Sequence, residues 1–441
     1  MQQNHFVRNY FVKSALIIHC PVFMKNEQTR LELMAPAGSY GSLSAAIRAG
    51  ADSVYFGVDK LNMRSRAASP FSLGDLKRIA RICRWCGVKA YLALNVIVYD
   101  DELEIMREIC DAAKTARLDA VIASDISAIE YARSIGLEVH ISVQSNISNI
   151  GSVRFYARYA DVMVLARELT LEQITAIGNA IKEEHICGPS GELVKIEMFA
   201  HGALCVALSG KCYMSLGCYN QSANRGSCFQ NCRRAYRLTD IETGDELEVQ
   251  NRYIMSPKDL CTLPHLDKLA EAGVSVYKLE GRARTAQYVG TVTKAYRAGL
   301  DAVEEGTFDP ENFHPLEAGL ADVFNRGFWD GGYYCGKPMG EWADAGHSQA
   351  TVKRVELGFV SNYFAKIGVV EFTLWQQELL PGCEILVEGP TTGAVQTHLE
   401  ALRVDGKPAD KAVKNDKVTF AMPEKVRRQD KVFLLQPVEN M

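Results

Sequence analysis

The chain has 441 residues, is 47% hydrophobic and 23% charged, and carries a formal net charge of −4. That composition belongs to a globular protein and excludes a disordered or collagen-like chain. The slightly acidic balance excludes a global basic field for nucleic acid, so any such contact has to come from a local patch. The 13 cysteines are an odd number, which excludes complete disulfide pairing. With no convincing signal peptide and no apolar run of membrane-spanning length, they read as metal-binding or redox cysteines of a reducing cytoplasm.

Residues 1–30 show no periodicity continuous with the rest of the chain and are expected to be a disordered extension, with Met24 as an alternative natural start. From Leu31 short apolar runs alternate with amphipathic helices. The expected strands are Leu31–Ala35, Ser53–Phe56, Lys89–Leu94, Ala120–Ala123, Glu138–Ser142, Asp161–Leu165, Lys195–Phe199 and Val276–Leu279. Ser72–Asp75 and Thr170–Gln173 carry capping residues ahead of helical periods. Strand–helix alternation predicts a parallel sheet, and eight strands is the number that closes a TIM-like (β/α)8 barrel. An open doubly wound sheet is the alternative, but no Gly-x-Gly-x-x-Gly follows the first strand. The barrel is expected over 31–305, with a cysteine-rich insertion at 201–270.

A Pro-, Gly- and aromatic-rich segment, 306–347, is expected as a linker. From about Ser348 the pattern changes to short alternating strands at Gln349–Glu356, Phe364–Val369, Cys383–Val387, His398–Val404, Lys417–Phe420 and Lys431–Leu435. Turns such as Pro381-Gly382 and Asp405-Gly406 separate them, which predicts a small all-β barrel over 348–441.

The insertion holds Cys205-x6-Cys212-x15-Cys228-x3-Cys232. Thiolates are soft ligands that select zinc, copper(I) or iron–sulfur. The gaps of six and three fit a zinc ribbon poorly, and inert buried thiols remain the bland alternative. Cys218 and Cys261 are spare ligands. Cys83-x-x-Cys86 lies in an expected helix and reads as core packing.

In a barrel, catalytic groups sit just after the strands. That rule selects Asn62 with Arg64, Asn95, Asp125, Gln144, Arg167, His201, Glu280 and Arg282. Of these, His201, Glu280 and Asn95 are the acid/base or catalytic candidates. Arg64, Gln144, Arg167 and Arg282 are candidates for an anionic ligand, because guanidinium pairs bidentately with carboxylate. For nucleic acid, Arg403–Lys431 holds nine Lys/Arg against five Asp/Glu. Lys425, Arg427 and Arg428 in that stretch, with Arg233 and Arg234 beside the cysteines, are the candidate phosphate contacts. Neither His-Glu-x-x-His nor Gly-x-Ser-x-Gly occurs, so nothing in the motifs independently supports proteolysis.

Glu197-Met-Phe-Ala-His-Gly-Ala-Leu-Cys205, Ser209-Gly-Lys-Cys212, Asn224-Arg-Gly-Ser-Cys228 and Asn231-Cys-Arg233 resemble the signature of the collagenase-like peptidase family, an unassigned peptidase class. Leu33–Gly38, Gly50–Gly57, Ser256–Cys261 and Lys278–Arg282 fit the same family. Despite its name, that family includes hydroxylases that work without molecular oxygen, and the length looks like its tRNA-hydroxylating branch. The resemblance implies a [4Fe-4S] cluster on Cys205, Cys212, Cys228 and Cys232, with Cys261 as a substitute for one of them. It also implies prephenate as co-substrate, tRNA as partner, 5-hydroxyuridine at the wobble position as product, and a cytoplasmic location. A collagenase-like cysteine or metallo-peptidase, and a non-enzymatic RNA-binding iron–sulfur protein, are the alternative functions.

Overall fold

The computed structural model describes residues 30–63, 71–247, 253, 255–329, 342–343 and 347–438. The expected extension is outside the described residues except for Arg30, and so is Arg64. The parallel strands are β1 (Glu32–Pro36), β2 (Ser53–Phe56), β3 (Lys89–Leu94), β4 (Ala120–Ala123), β5 (Glu138–Ile141), β6 (Val162–Val164) and β7 (Lys195–Ala203). After β7 come two short strands, β8 (Leu238–Thr239) and β9 (Glu246–Leu247), which pair only with each other. Next are β10 (Asp259–Cys261) and β11 (Val274–Leu279). Strands β1 to β7 follow one another in order, and β11 pairs in parallel with both β1 and β7. That double pairing closes an eight-stranded barrel, as the strand count predicts.

Helices α1 (Tyr40–Arg48), α2 (Leu76–Trp85), α3 (Leu103–Ala116), α4 (Ile126–Ser134), α5 (Ile150–Tyr156) and α6 (Leu171–Glu183) return the chain between strands. Thr170 accepts from the Gln173 N–H, and the Gln173 side chain accepts from the Thr170 N–H, closing the expected capping box. Period-two alternation divides the strands' side chains. Leu33, Ala35, Val54, Phe56, Leu92 and Val121 face the helices. Met34, Tyr55, Tyr91, Ile122 and Val276 fill the lumen.

β7 continues past the barrel, and β10 pairs antiparallel with its last residues, His201 to Ala203. The cysteine insertion therefore leaves and rejoins the barrel at one place. It includes α7 (Met214–Tyr219), and after it α8 (Leu266–Glu271) and α9 (Ala286–Glu304) complete the barrel. The segment expected as a linker contains α10 (His314–Ala321) and β12 (Phe328–Trp329), and β12 pairs with β10. Phe313, Leu320, Val323 and Trp329 are buried in the barrel's outer core, so burial and not linker composition sets its structure.

The C-terminal unit is wholly antiparallel. Its strands are β13 (Val352–Phe364), β14 (Val369–Thr373), β15 (Glu384–Gly389), β16 (Gly393–His398), β17 (Leu402–Val404), β18 (Lys407–Ala409), β19 (Lys417–Ala421) and β20 (Lys431–Pro437). The long β13 pairs first with β20 and then with β14, folding the sheet over a core of its own that includes Leu357, Phe372, Ile385 and Phe420. Two expected strands are corrected. Phe364–Val369 is the turn between β13 and β14, and His398–Val404 spans the end of β16, a connection and β17. Apolar residues within turns imitate strand alternation there. The unit docks on α1, where Ser44 donates to the Pro390 carbonyl at 2.7 Å and Arg48 pairs with Glu424.

Candidate functional site

A cavity of about 510 Å3 opens at the C-terminal end of the barrel strands, roofed by the cysteine insertion. Its wall includes Asn95 after β3, Gln144 after β5, Arg167 after β6, and Glu280 and Arg282 after β11. Cys205, Cys212, Cys228, Cys232 and Arg233 line the same cavity. The fold thus gathers residues spread over nearly two hundred positions.

On the barrel side the polar groups are held in place. The Asn95 amide donates to Gln144 Oε1 at 3.3 Å, and its own oxygen accepts from the Met63 N–H at 3.3 Å. The Tyr55 hydroxyl donates to Glu280 Oε2 at 3.0 Å. Arg282 donates to Asn62 Oδ1 at 3.1 Å. Arg167 donates to the Ala203 carbonyl at 3.2 Å and lies 3.9 Å over the Phe199 ring. The buried Nε atoms of Arg167 and Arg326, both in the wall, make no hydrogen bond among the described residues.

Sequence reasoning missed the cavity floor. Lys278 on β11 is buried and pairs with Glu197 on β7 at 2.6 Å. The signal was a lysine inside the otherwise apolar run Val276-Tyr277-Lys278-Leu279. Such a pair, taken out of water, holds only because each charge has the other. Glu197 Oε2 and His140 Nδ1 face each other at 4.0 Å across the lumen.

On the roof, arginines do the anchoring. Arg233 donates to Ser256 Oγ at 3.0 Å and to the carbonyls of Pro257 and Leu204, tying together the two ends of the insertion. Arg225 pairs through both terminal nitrogens with Glu102 and lies 3.7 Å over the Tyr99 ring. Gly210 adopts φ +77°, and a Cβ there would stand 3.0 Å from Gln144 Cγ, so the roof meets the rim at backbone distance. Burial pushes the Cys232 thiol up, with Arg233 opposing and the thiols of Cys205, Cys228 and Cys212 adding to it. Cys232 is therefore within electrostatic reach of the other three thiols. Among the described residues, no three His, Cys, Asp or Glu groups close to metal-ligating geometry.

Several candidates are not brought to the cavity. His201 is buried behind β7 among Tyr288, Tyr296 and Phe328, and its Nδ1 lies 3.3 Å from the Tyr296 hydroxyl. Burial holds its pKa down at about 3, and it is not part of the cavity wall. Its position on a strand that outlasts the barrel turns it to the outer core. Cys261 is also buried there, accepting from Tyr296 at 3.8 Å, and does not line the cavity. Arg233 faces inward as a clamp and not outward as a phosphate contact, whereas Arg234 is exposed on the roof.

Lys425, Arg427 and Arg428 are not in the cavity wall. α1 leaves the strand ends at Ser39 and runs back along the barrel, and the Glu424 segment packs at its last turn. The C-terminal basic run is thus near the barrel's N-terminal face. Cys83 is buried in α2, as core packing requires.

No helix among the described residues is long and apolar enough to cross a membrane. A "Collagenase" of Porphyromonas gingivalis is 50% identical over 91% of this chain and 97% of its own length. A 23S rRNA 5-hydroxycytidine synthase of Escherichia coli is 32% identical over 79% of this chain and 57% of its own length. A tRNA hydroxylation protein of Bacillus subtilis is 32% identical over 64% of this chain and 65% of its own length. Residues 38–344 match Peptidase family U32, and the chain belongs to that family.

Proposed function

We propose that this chain hydroxylates uridine at the wobble position of tRNA, with prephenate as co-substrate and a [4Fe-4S] cluster held by Cys205, Cys212, Cys228 and Cys232. The observation that carries the reading is that these four cysteines and the rim residues Asn95, Gln144, Arg167, Glu280 and Arg282 line one cavity. Two relatives whose names specify RNA hydroxylation support the substrate class. What supports the cluster is the donor set: four soft thiols line one cavity, and Cys232 lies within electrostatic reach of the other three. Held by Cys205, Cys212, Cys228 and Cys232, a cluster would supply electron transfer there, since four thiolates would leave no open iron.

The protein's own groups have separable tasks. Arg167 and Arg282 suit a dicarboxylate, and the Arg167 Nε–H has no competing partner among the described residues. The Asn95–Gln144 amide pair suits the edge of a nucleobase. Glu280, steadied by the Tyr55 hydroxyl, is the carboxylate of the wall placed to exchange a proton with a base held in the cavity.

The 50% identical relative named a collagenase favours peptidase activity as the second reading. His201 gives it no support, because it does not line the cavity that holds Cys205.

Nucleoside mass spectrometry of tRNA from a deletion strain tests the choice. Loss of 5-hydroxyuridine, restored by the wild-type gene but not by Cys205→Ser or Cys228→Ser, is the expected result. Unchanged hydroxyuridine in a strain with no redundant pathway, together with Cys205-dependent gelatin cleavage, would establish the peptidase.

A further inference from the structure

The roof of the cavity has an outer surface with a different composition from the rest of the chain. Residues 204–237 contain five Lys/Arg and no Asp or Glu, in a protein whose net charge is −4. Three of those cations are engaged: Arg225 with Glu102, Arg233 with backbone carbonyls, and Arg237 with Glu246 at 3.1 Å. Lys211 and Arg234 remain exposed. Among them stand aromatic rings that a folded domain ordinarily covers. Tyr213 is 75% exposed, Phe229 47% and Tyr219 42%. The Tyr219 and Phe229 rings lie 5.1 Å apart, and Arg234 donates to the Tyr219 hydroxyl at 2.8 Å.

These rings adjoin the cavity directly. Cys212 and Cys228 face into it, and their sequence neighbours Tyr213 and Phe229 face out. We infer that this outer face is a stacking platform for single-stranded RNA, which receives the bases flanking the one that enters the cavity. The inference rests on the RNA hydroxylation reading and assigns the surface that binds the strand.

The physical case has two parts. A base drawn into a closed cavity leaves its neighbours unstacked, and exposed aromatic rings restore that stacking without regard to sequence. Lys211 and Arg234, exposed and without a carboxylate partner among the described residues, attract the phosphates of a strand that crosses the rings. An acidic polypeptide would satisfy the charge but leave the rings unused. The C-terminal basic run lacks both features: it interleaves five acidic residues and lies by the far end of α1.

The test uses the full-length protein and a short fluorescein-labelled single-stranded oligouridylate, with fluorescence anisotropy as readout. Tyr219→Ala is expected to weaken binding about tenfold, and Tyr219→Trp to retain it. Arg234→Gln is expected to lower the slope of log affinity against log salt by about 0.7. Lys425→Ala with Arg428→Ala is expected to change neither. Unlabelled single strand should displace the probe, whereas duplex RNA of the same length and polyglutamate should not.

Unchanged binding by Tyr219→Ala in a protein that still hydroxylates tRNA overturns the platform and leaves the RNA reading standing. Displacement by polyglutamate overturns it in favour of an acidic peptide partner. A wild-type protein that binds no RNA overturns both readings together.

Discussion

Two units are attached to the same barrel in different ways. The C-terminal sheet brings its own apolar core, in which Leu357, Phe372 and Ile385 are fully buried, and then docks on α1. Of the hydrophobic residues in 204–237, only Ala223 is fully buried, and the insertion is held down by the arginine clamps at Arg225 and Arg233. A unit with a core has a stability of its own. A unit held by polar clamps has an order set by its anchors. Under the cluster proposed above, metal binding to the four thiolates of this weakly cored segment would itself be folding free energy.

The largest expected effect breaks the comparison on the cored side. Phe372→Ala removes a buried ring that packs edge-on against Phe420 with centroids 6.0 Å apart. It should cost about 3–5 kcal/mol. Differential scanning calorimetry should show a C-terminal transition moving down while the barrel transition stays. A single transition moving as a whole would mean that the sheet has no independent stability.

Arg233→Ala tests the clamped side. It deletes three hydrogen bonds from a charged donor, each contributing about 1.5–3 kcal/mol in such settings. The loss should remain local. Amide exchange across 204–237 is expected to rise while exchange in β1 to β6 does not. Barrel-wide acceleration would show that the insertion is part of the barrel's cooperative unit.

The contrast also explains what the sequence made legible. The eight barrel strands were readable because each is a short apolar run, buried on both faces and bounded by turn residues. That the four cysteines line one cavity follows from their closeness in the sequence, all within one insertion. The Glu197–Lys278 pair was hidden because its partners are contributed by different strands, and only barrel closure brings them within 2.6 Å. The placement of Arg233 and of the C-terminal basic residues was hidden for a shared reason. A count of positive charges does not say which way a guanidinium points or which end of the barrel a loop reaches.

His201 gives the smallest and most specific prediction, because it sits on the strand from which the insertion departs. Burial lowers its pKa from the ordinary 6.5 to about 3. The unfolded chain therefore binds a proton that the folded protein does not between those values. Its stabilising contribution is complete above pH 6.5 and declines as pH falls through that window, by about 1.4 kcal/mol per pH unit. In urea titrations from pH 6.5 to pH 4.5, His201→Gln should make the dependence of stability on pH shallower by that amount, whatever its effect at neutral pH. A catalytic histidine facing the cavity would instead shift the pH profile of activity and leave this slope unchanged. The slope therefore tells whether the histidine four residues before the first cysteine belongs to the barrel's outer core or to the chemistry beneath the roof.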